Sequence, residues 1–168
     1  MVNFFVILWL RGNSYLGIAA EYHTTLDMIM QLNGMFELKN IQPGEELIVM
    51  PLEFRLLIEP QRKSLSLWDG STFLCEYPIL QLGVNGKLAP GKTKIGAKLA
   101  DLTGRPIAVQ SKDYRAASKV IQLVKPALQI RGSDQAADTT AAHGIVLRSE
   151  DMEELNLLLR AGNDVEIR

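Results

Sequence analysis

With one cysteine, Cys75, the 168-residue chain has no internal disulfide and no cysteine-based metal site of its own. Histidine is nearly as scarce. His23 and His143 stand too far apart in sequence for a metal-ligand motif, so no metal and no other cofactor is expected. An excess of charge of either sign is also missing. Lys plus Arg number 18 against 19 Asp plus Glu, and the net charge of −1 offers no footprint for nucleic acid or an anionic membrane. No apolar run approaches the roughly 20 residues of a membrane helix, so no stable membrane span is expected. The strongest run, FFVILWL at residues 4–10, also lacks the basic start and small-residue cleavage site of a signal peptide, and reads as a buried strand. If the protein is exported, its signal is expected to lie outside this sequence. What remains suits a packed interior: 47% hydrophobic and 22% charged residues, in one ordinary domain or two small ones.

Residues 12–51 carry helix and turn signals at short intervals. Ser14 is placed to cap a first helix that turns Ile18 and Ala19 inward. Thr24 with Asp27 three residues later forms a capping-box variant for a second helix, whose inner face is Leu26, Ile29 and Met30. Asn33-Gly34 ends it, Pro43-Gly44 makes a turn, and residues 47–50 form a closing strand beside residues 5–10. Gly12-Asn13-Ser14 before Ile18-Ala19, then Tyr22, Thr24-Thr25, Leu32-Asn33, Ile41, Pro43-Gly44, Leu47, Ile48 and Pro51 together resemble a lysin motif (LysM). Asn13 and Tyr15 stand where that family has aspartate and leucine. The resemblance implies a small βααβ unit that binds N-acetylglucosamine-containing glycan in a shallow groove between two loops. Those loops are Gly12, Asn13, Ser14 and Tyr15 on one side, and Ile41, Gln42, Pro43 and Gly44 on the other. Backbone amides and small polar groups would meet the acetamido groups, with Tyr15 or Ile41 as an apolar wall.

From residue 54 the pattern changes to strands. Residues 54–59 are an apolar run, residues 64–68 alternate, Asp69-Gly70 signals a tight hairpin, and Phe73, Cys75 and Tyr77 share a face on the return. At the far end, His143-Gly144 precedes an apolar strand, Ile145 to Leu147, and a helix follows. Ser149 is its expected N-cap, Glu150 and Asp151 suit the positive end of its dipole, and Gly162 is its expected stop before a last strand at Val165 and Ile167. This ending resembles that of an L,D-transpeptidase catalytic domain, and the likeness extends over roughly residues 54–168.

The resemblance implies a cysteine directly after the His-Gly pair, which attacks a carbonyl of the cell-wall stem peptide. Here Ile145 follows Gly144. Either the cysteine is replaced by Ile145, or a one-residue gap after Gly144 has removed it, and the second alignment matches Ile145, Leu147, Glu150 and Asp151 better. The base histidine of the family corresponds to Arg131 in Ile130-Arg131-Gly132. An arginine stays protonated and takes no proton from a thiol, though it binds carboxylates.

Two further stretches carry motif-like residues. Residues 86–93, GKLAPGKT, fit a P-loop expression, but Gly96 interrupts the segment that would have to be the phosphate-facing helix, so no nucleotide is expected. Cys75, in mid-strand, reads as a small buried hydrophobe. The expectation is an α+β chain: residues 1–52 a LysM unit, residues 53–168 a mainly β sandwich or open barrel of L,D-transpeptidase type with one C-terminal helix. The expected function is peptidoglycan binding outside the cytoplasm, in the cell wall or periplasm, with the stem peptide as a further partner and the transpeptidase chemistry lost. The alternative is an active transpeptidase or hydrolase with a displaced nucleophile.

Overall fold

The structure is a computed structural model that describes residues 2–83, 88–133 and 144–168. The N-terminal part runs strand, helix, helix, strand: β1 (Phe5–Leu8), α1 (Tyr15–Glu21), α2 (Leu26–Leu32) and β2 (Glu46–Val49). β1 and β2 form a two-stranded antiparallel sheet in which Phe5 faces Val49 and Ile7 faces Leu47. Ser14 caps α1, its Oγ accepting from the Gly17 amide at 3.0 Å. The cap of α2 is Thr25, not Thr24: Thr25 Oγ1 accepts from the Met28 amide at 3.1 Å, while Thr24 is buried. The apolar run at residues 4–10 is not the buried strand expected. Val6 is 63% and Leu8 58% exposed, because a two-stranded sheet covered by helices on one face leaves alternate residues on the other.

The remaining strands form one large sheet. These are β3 (Arg55–Glu59), β4 (Ser64–Asp69), β5 (Thr72–Pro78), β6 (Gln81–Leu82), β7 (Gly91–Leu102), β8 (Arg105–Pro106), β9 (Ser118–Leu123), β10 (Gln129–Gly132), β11 (Gly144–Leu147) and β12 (Asp164–Ile167). Among the described residues the order is β5-β4-β3-β12-β7-β9-β10-β11-β6, with β8 attached to β7. Two pairs are parallel, β10 with β11 and β12 with β3. The 12-residue β7 joins the two halves. Its first residues pair with β12, its later ones with β9, and the register shifts between Ile95 and Ala97. Gly96 sits at that shift, where a Cβ would lie 3.2 Å from Val124 Cγ2 and 3.4 Å from the Gln122 carbonyl. Any side chain there would have to push the Val124 methyl aside by a few tenths of an ångström, and the glycine that argued against a phosphate-facing helix is a bend in a strand.

The helix α3 (Ser149–Leu158) packs on β9 and β10 and buries Met152 and Leu155. Arg148, not Ser149, occupies the N-cap position. Its guanidinium reaches forward to the Asp151 carboxylate at 2.8 and 3.1 Å. The helix ends at Leu158, ahead of Gly162, which holds φ +95° in the turn leading to β12. One core, including Leu56, Leu65, Ile121, Ile130, Ile145 and Leu155, fills the space between the sheet halves and α3. Met28 of α2 and Met50 belong to the same core, so the N-terminal part is packed onto the β domain. The joint is pinned at Leu52. Its amide donates to the His23 carbonyl at 2.8 Å, and its carbonyl accepts from buried Asn163 Nδ2 at 2.8 Å and from Arg160 Nε at 3.1 Å.

Candidate functional site

Trp9 and Leu10, just after β1, tie together the two loops expected to hold glycan. The Gly44 amide donates to the Trp9 carbonyl at 2.8 Å, and the Trp9 amide donates to the Glu45 carbonyl at 2.8 Å. On the other side, the Leu10 amide donates to Asn13 Oδ1 at 2.7 Å and the Asn13 amide to the Leu10 carbonyl at 3.0 Å. Gly12 and Gly44 hold φ of +89° and +94° with no neighbour near a Cβ position, so the glycines are required by backbone conformation and not by space. The structure therefore places Gly12, Asn13, Ser14 and Tyr15 beside Ile41, Gln42, Pro43 and Gly44.

The polar groups there are partly committed. The amides of Asn13, Gln42 and Gly44 all donate within the loops, Gln42 to Glu45 Oε2 at 2.6 Å. Side chains and exposed carbonyls are thus left to meet a sugar, and Gln42, Pro43 and Gly44 are exposed. Tyr15 is half-buried. Its ring lies 5.1 Å from that of Trp9, and its Oη donates to the Lys39 carbonyl at 2.6 Å, so it pins the 39–41 segment as well as lining the loops. Burial raises its phenol pKa, opposed by that hydrogen bond.

The second region is the start of β11. Gly144 is buried, and a Cβ there would lie 3.2 Å from the Gln129 carbonyl. Ile145 is 0% exposed and pairs in register with Ile130, also 0% exposed. Arg131 pairs with Val146. Side chains alternate along a strand, so Ile145 lies on the core face under α3 and Arg131 on the opposite face. The Arg131 Nη2 donates to Gln129 Oε1 on that face. Gly144, Ile145 and Arg131 thus come together on neighbouring strands, but Ile145 and Arg131 do not share a surface. His143 lies outside the described residues, as do Gly86 and Lys87 of the P-loop-like stretch.

Cys75 is half-buried in β5. Its thiol donates to Tyr77 Oη at 3.1 Å, and that hydroxyl donates to Glu154 Oε1 at 2.9 Å. Burial raises the Cys75 pKa, the Tyr77 hydrogen bond opposes this, and the Glu154 carboxylate adds to it. The net direction disfavours the thiolate that a nucleophile requires. Gly91, Lys92 and Thr93 open strand β7, and Thr93 Oγ1 accepts from the Lys125 amide at 3.1 Å. No helix starts at the lysine of that stretch.

A polar junction between α2 and the β domain was not legible in the sequence. Tyr114 Oη donates to Asp27 Oδ2 at 3.2 Å and accepts from buried Asn156 Nδ2 at 3.1 Å. Nearby, burial lowers the Lys98 ammonium pKa to about 8, with Asp27 opposing the shift. These groups come from residues 27, 98, 114 and 156, and no motif links them.

No family model matches the chain, and no curated protein sequence matches it. Solved structures similar to it include an L,D-transpeptidase from Enterococcus faecium, with 15% identity over 69% of this chain and 50% of that one, TM-score 0.48. Bd1075 from Bdellovibrio bacteriovorus matches at 12% identity over 69% of this chain and 48% of that one, TM-score 0.51. A fused Zn-dependent amidase/peptidase/peptidoglycan-binding domain-containing protein from Clostridium acetobutylicum matches at 10% identity over 69% and 52%, TM-score 0.50. The chain spans about half the length of these proteins. At such identities the likeness is one of fold alone, and it is carried by the Bdellovibrio and Clostridium structures.

Proposed function

We propose that this chain is an extracytoplasmic, cell-wall-associated protein that binds peptidoglycan glycan through a LysM-type unit and carries an L,D-transpeptidase-like domain without its thiol chemistry. The observation that carries the reading is the meeting of the 12–15 and 41–44 loops on Trp9 and Leu10. Two loops fixed side by side, with exposed Gln42 and a half-buried Tyr15 backed by buried Trp9, suit the polar edges and apolar faces of an acetamido sugar. A shallow groove buries little surface, so the expected affinity is micromolar to millimolar, about 4 to 8 kcal/mol.

The loss of chemistry is read as a deletion after Gly144. Under that alignment Ile145 is an ordinary strand residue of the fold, which agrees with its complete burial. Catalysis needs a nucleophile and a base within hydrogen-bond reach of each other. Ile145 offers no lone pair, Arg131 no base, and the Cys75 environment disfavours the thiolate. Fold likeness alone does not assign activity. The test is incubation of the full chain with tetrapeptide muropeptides, followed by mass spectrometry. Unchanged muropeptides are expected. Cross-linked or trimmed products that disappear with Cys75→Ala would establish the displaced-nucleophile alternative instead.

A further inference from the structure

The two-stranded sheet of β1 and β2 is closed on one edge and open on the other. On the β2 edge, Asn33 stands in for a third strand: its Nδ2 donates to the Ile48 carbonyl at 2.8 Å and its Oδ1 accepts from the Ile48 amide at 2.9 Å. Val6 lies opposite Ile48 in the ladder, so the Val6 amide and carbonyl point away from β2, toward the free edge of β1. The same alternation aims the backbone groups of Phe4 and Leu8 outward and those of Trp9 inward, where its amide meets the Glu45 carbonyl at 2.8 Å. Beyond Leu8 the edge is closed again, because the Leu10 amide donates to Asn13 Oδ1 and the Leu10 carbonyl accepts from the Asn13 amide. Among the described residues, β2 is the only strand beside β1. The open stretch is therefore Phe4, Val6 and Leu8, whose side chains are also exposed, at 58%, 63% and 58%.

An open edge is a template for pairing with another chain, and charge or proline ordinarily shields it. Residues 1–10 contain no charged residue and no proline. Their outer face, Phe4, Val6 and Leu8 with Ile48 on the neighbouring strand, is apolar and exposed, opposite the face that packs Trp9, Leu47 and Val49 into the helix-covered core. Such side chains offer nothing to sugar hydroxyls and, with no Lys or Arg among them, nothing to an anionic headgroup. A second copy fits. The stripe is symmetric about Val6, so antiparallel pairing sets Val6 against Val6 of the second copy and Phe4 against its Leu8, apolar on apolar. The closure at Leu10 fixes that register: sliding the second strand further would set its Phe4 against Leu10, whose backbone groups Asn13 already holds. We propose that β1 pairs with β1 of a second copy of this chain across a two-fold axis at Val6, joining two two-stranded sheets into one of four strands. So short a strand pair buries less than about 1,200 Å², the low end of specific interfaces, which makes the dimer weak and concentration-dependent.

The test is sedimentation velocity of the full chain from about 5 to about 500 µM, with conversion from monomer to dimer expected near about 100 µM. The Val6→Lys variant should move that conversion at least about tenfold higher, with Tm unchanged because the residue 6 side chain is exposed. Disulfide trapping in a Cys75→Ser background reads the register. In the dimer, the two Val6→Cys positions have Cα atoms about 5.5 Å apart, inside the roughly 4.4–6.8 Å that a disulfide spans. The two Leu8→Cys positions, similarly exposed, lie more than about 13 Å apart and should cross-link at least about tenfold more slowly. The same samples are floated with phosphatidylcholine vesicles. A chain that stays monomeric at about 500 µM, association that continues past the dimer, equal trapping of the two cysteine variants, or monomer that floats with the vesicles would each overturn the inference.

Discussion

Substituting Ile145→Cys at the position of the missing nucleophile should produce a destabilised core and an unreactive thiol. Ile145 is completely buried, in register with Ile130, and part of the core that also holds Leu147 and Leu155. The exchange removes more hydrocarbon than Ile→Val and less than Ile→Ala, which places the loss at about 1–3 kcal/mol. Burial raises the thiol pKa, and labelling then requires opening of the strand. The assay uses a Cys75→Ser background: guanidinium denaturation for stability, and the rate of aromatic-disulfide labelling with and without denaturant for access. The expected result is a lower midpoint with labelling at least about a hundredfold slower in native conditions. A cysteine inserted between Gly144 and Ile145 should instead label rapidly with Ile145 still in place. Rapid native labelling of the Ile145→Cys variant at unchanged stability would show that Ile145 faces a site and that the deletion reading is wrong.

Other consequences follow from the junction, the clamp and the loops. Because burial depresses the Lys98 ammonium to about 8 from 10.5, the unfolded chain binds the extra proton between those values, and stability should rise as pH increases through that window. Below about 8 the penalty of the buried charge is fully present, so Lys98→Met should raise stability at pH 7 and flatten the profile in alkaline thermal melts. Asn163→Ala removes the amide that holds the Leu52 carbonyl and accepts from the Arg160 amide, and should cost about 1–3 kcal/mol in chemical denaturation. Gln42→Ala should weaken chitin binding about threefold to tenfold with an unchanged Tm, whereas Tyr15→Ala should reduce both, since Tyr15 also holds the Lys39 carbonyl.

The sequence showed the fold best where a local rule decides the structure. Ser14 capping α1, the Asn33 end of α2 and the Asp69-Gly70 hairpin depend on residues close in sequence. Adjacent threonines made the α2 cap ambiguous, and packing resolved it by burying Thr24 and giving Thr25 to the Met28 amide. The exposed faces of Val6 and Leu8 were illegible because apolarity does not reveal how many strands or layers cover a strand. The course of β7 was hidden for a similar reason: its two partners, β12 and β9, lie far apart in the chain, and Gly96 marks only the bend. At Gly144, Ile145 and Arg131 the residue types were visible, but not that Ile145 and Arg131 occupy opposite faces. The cleft between residues 34–39 and α3 was unreadable because its walls and floor come from residues 36, 115, 119 and 153, which only tertiary packing brings together.

The most direct test of the central claim is co-sedimentation of the full chain with purified peptidoglycan sacculi. The protein should pellet with sacculi in a saturable, chitin-competable manner, and Gln42→Ala should move it toward the supernatant. Protein that stays in the supernatant at every sacculus concentration would contradict it.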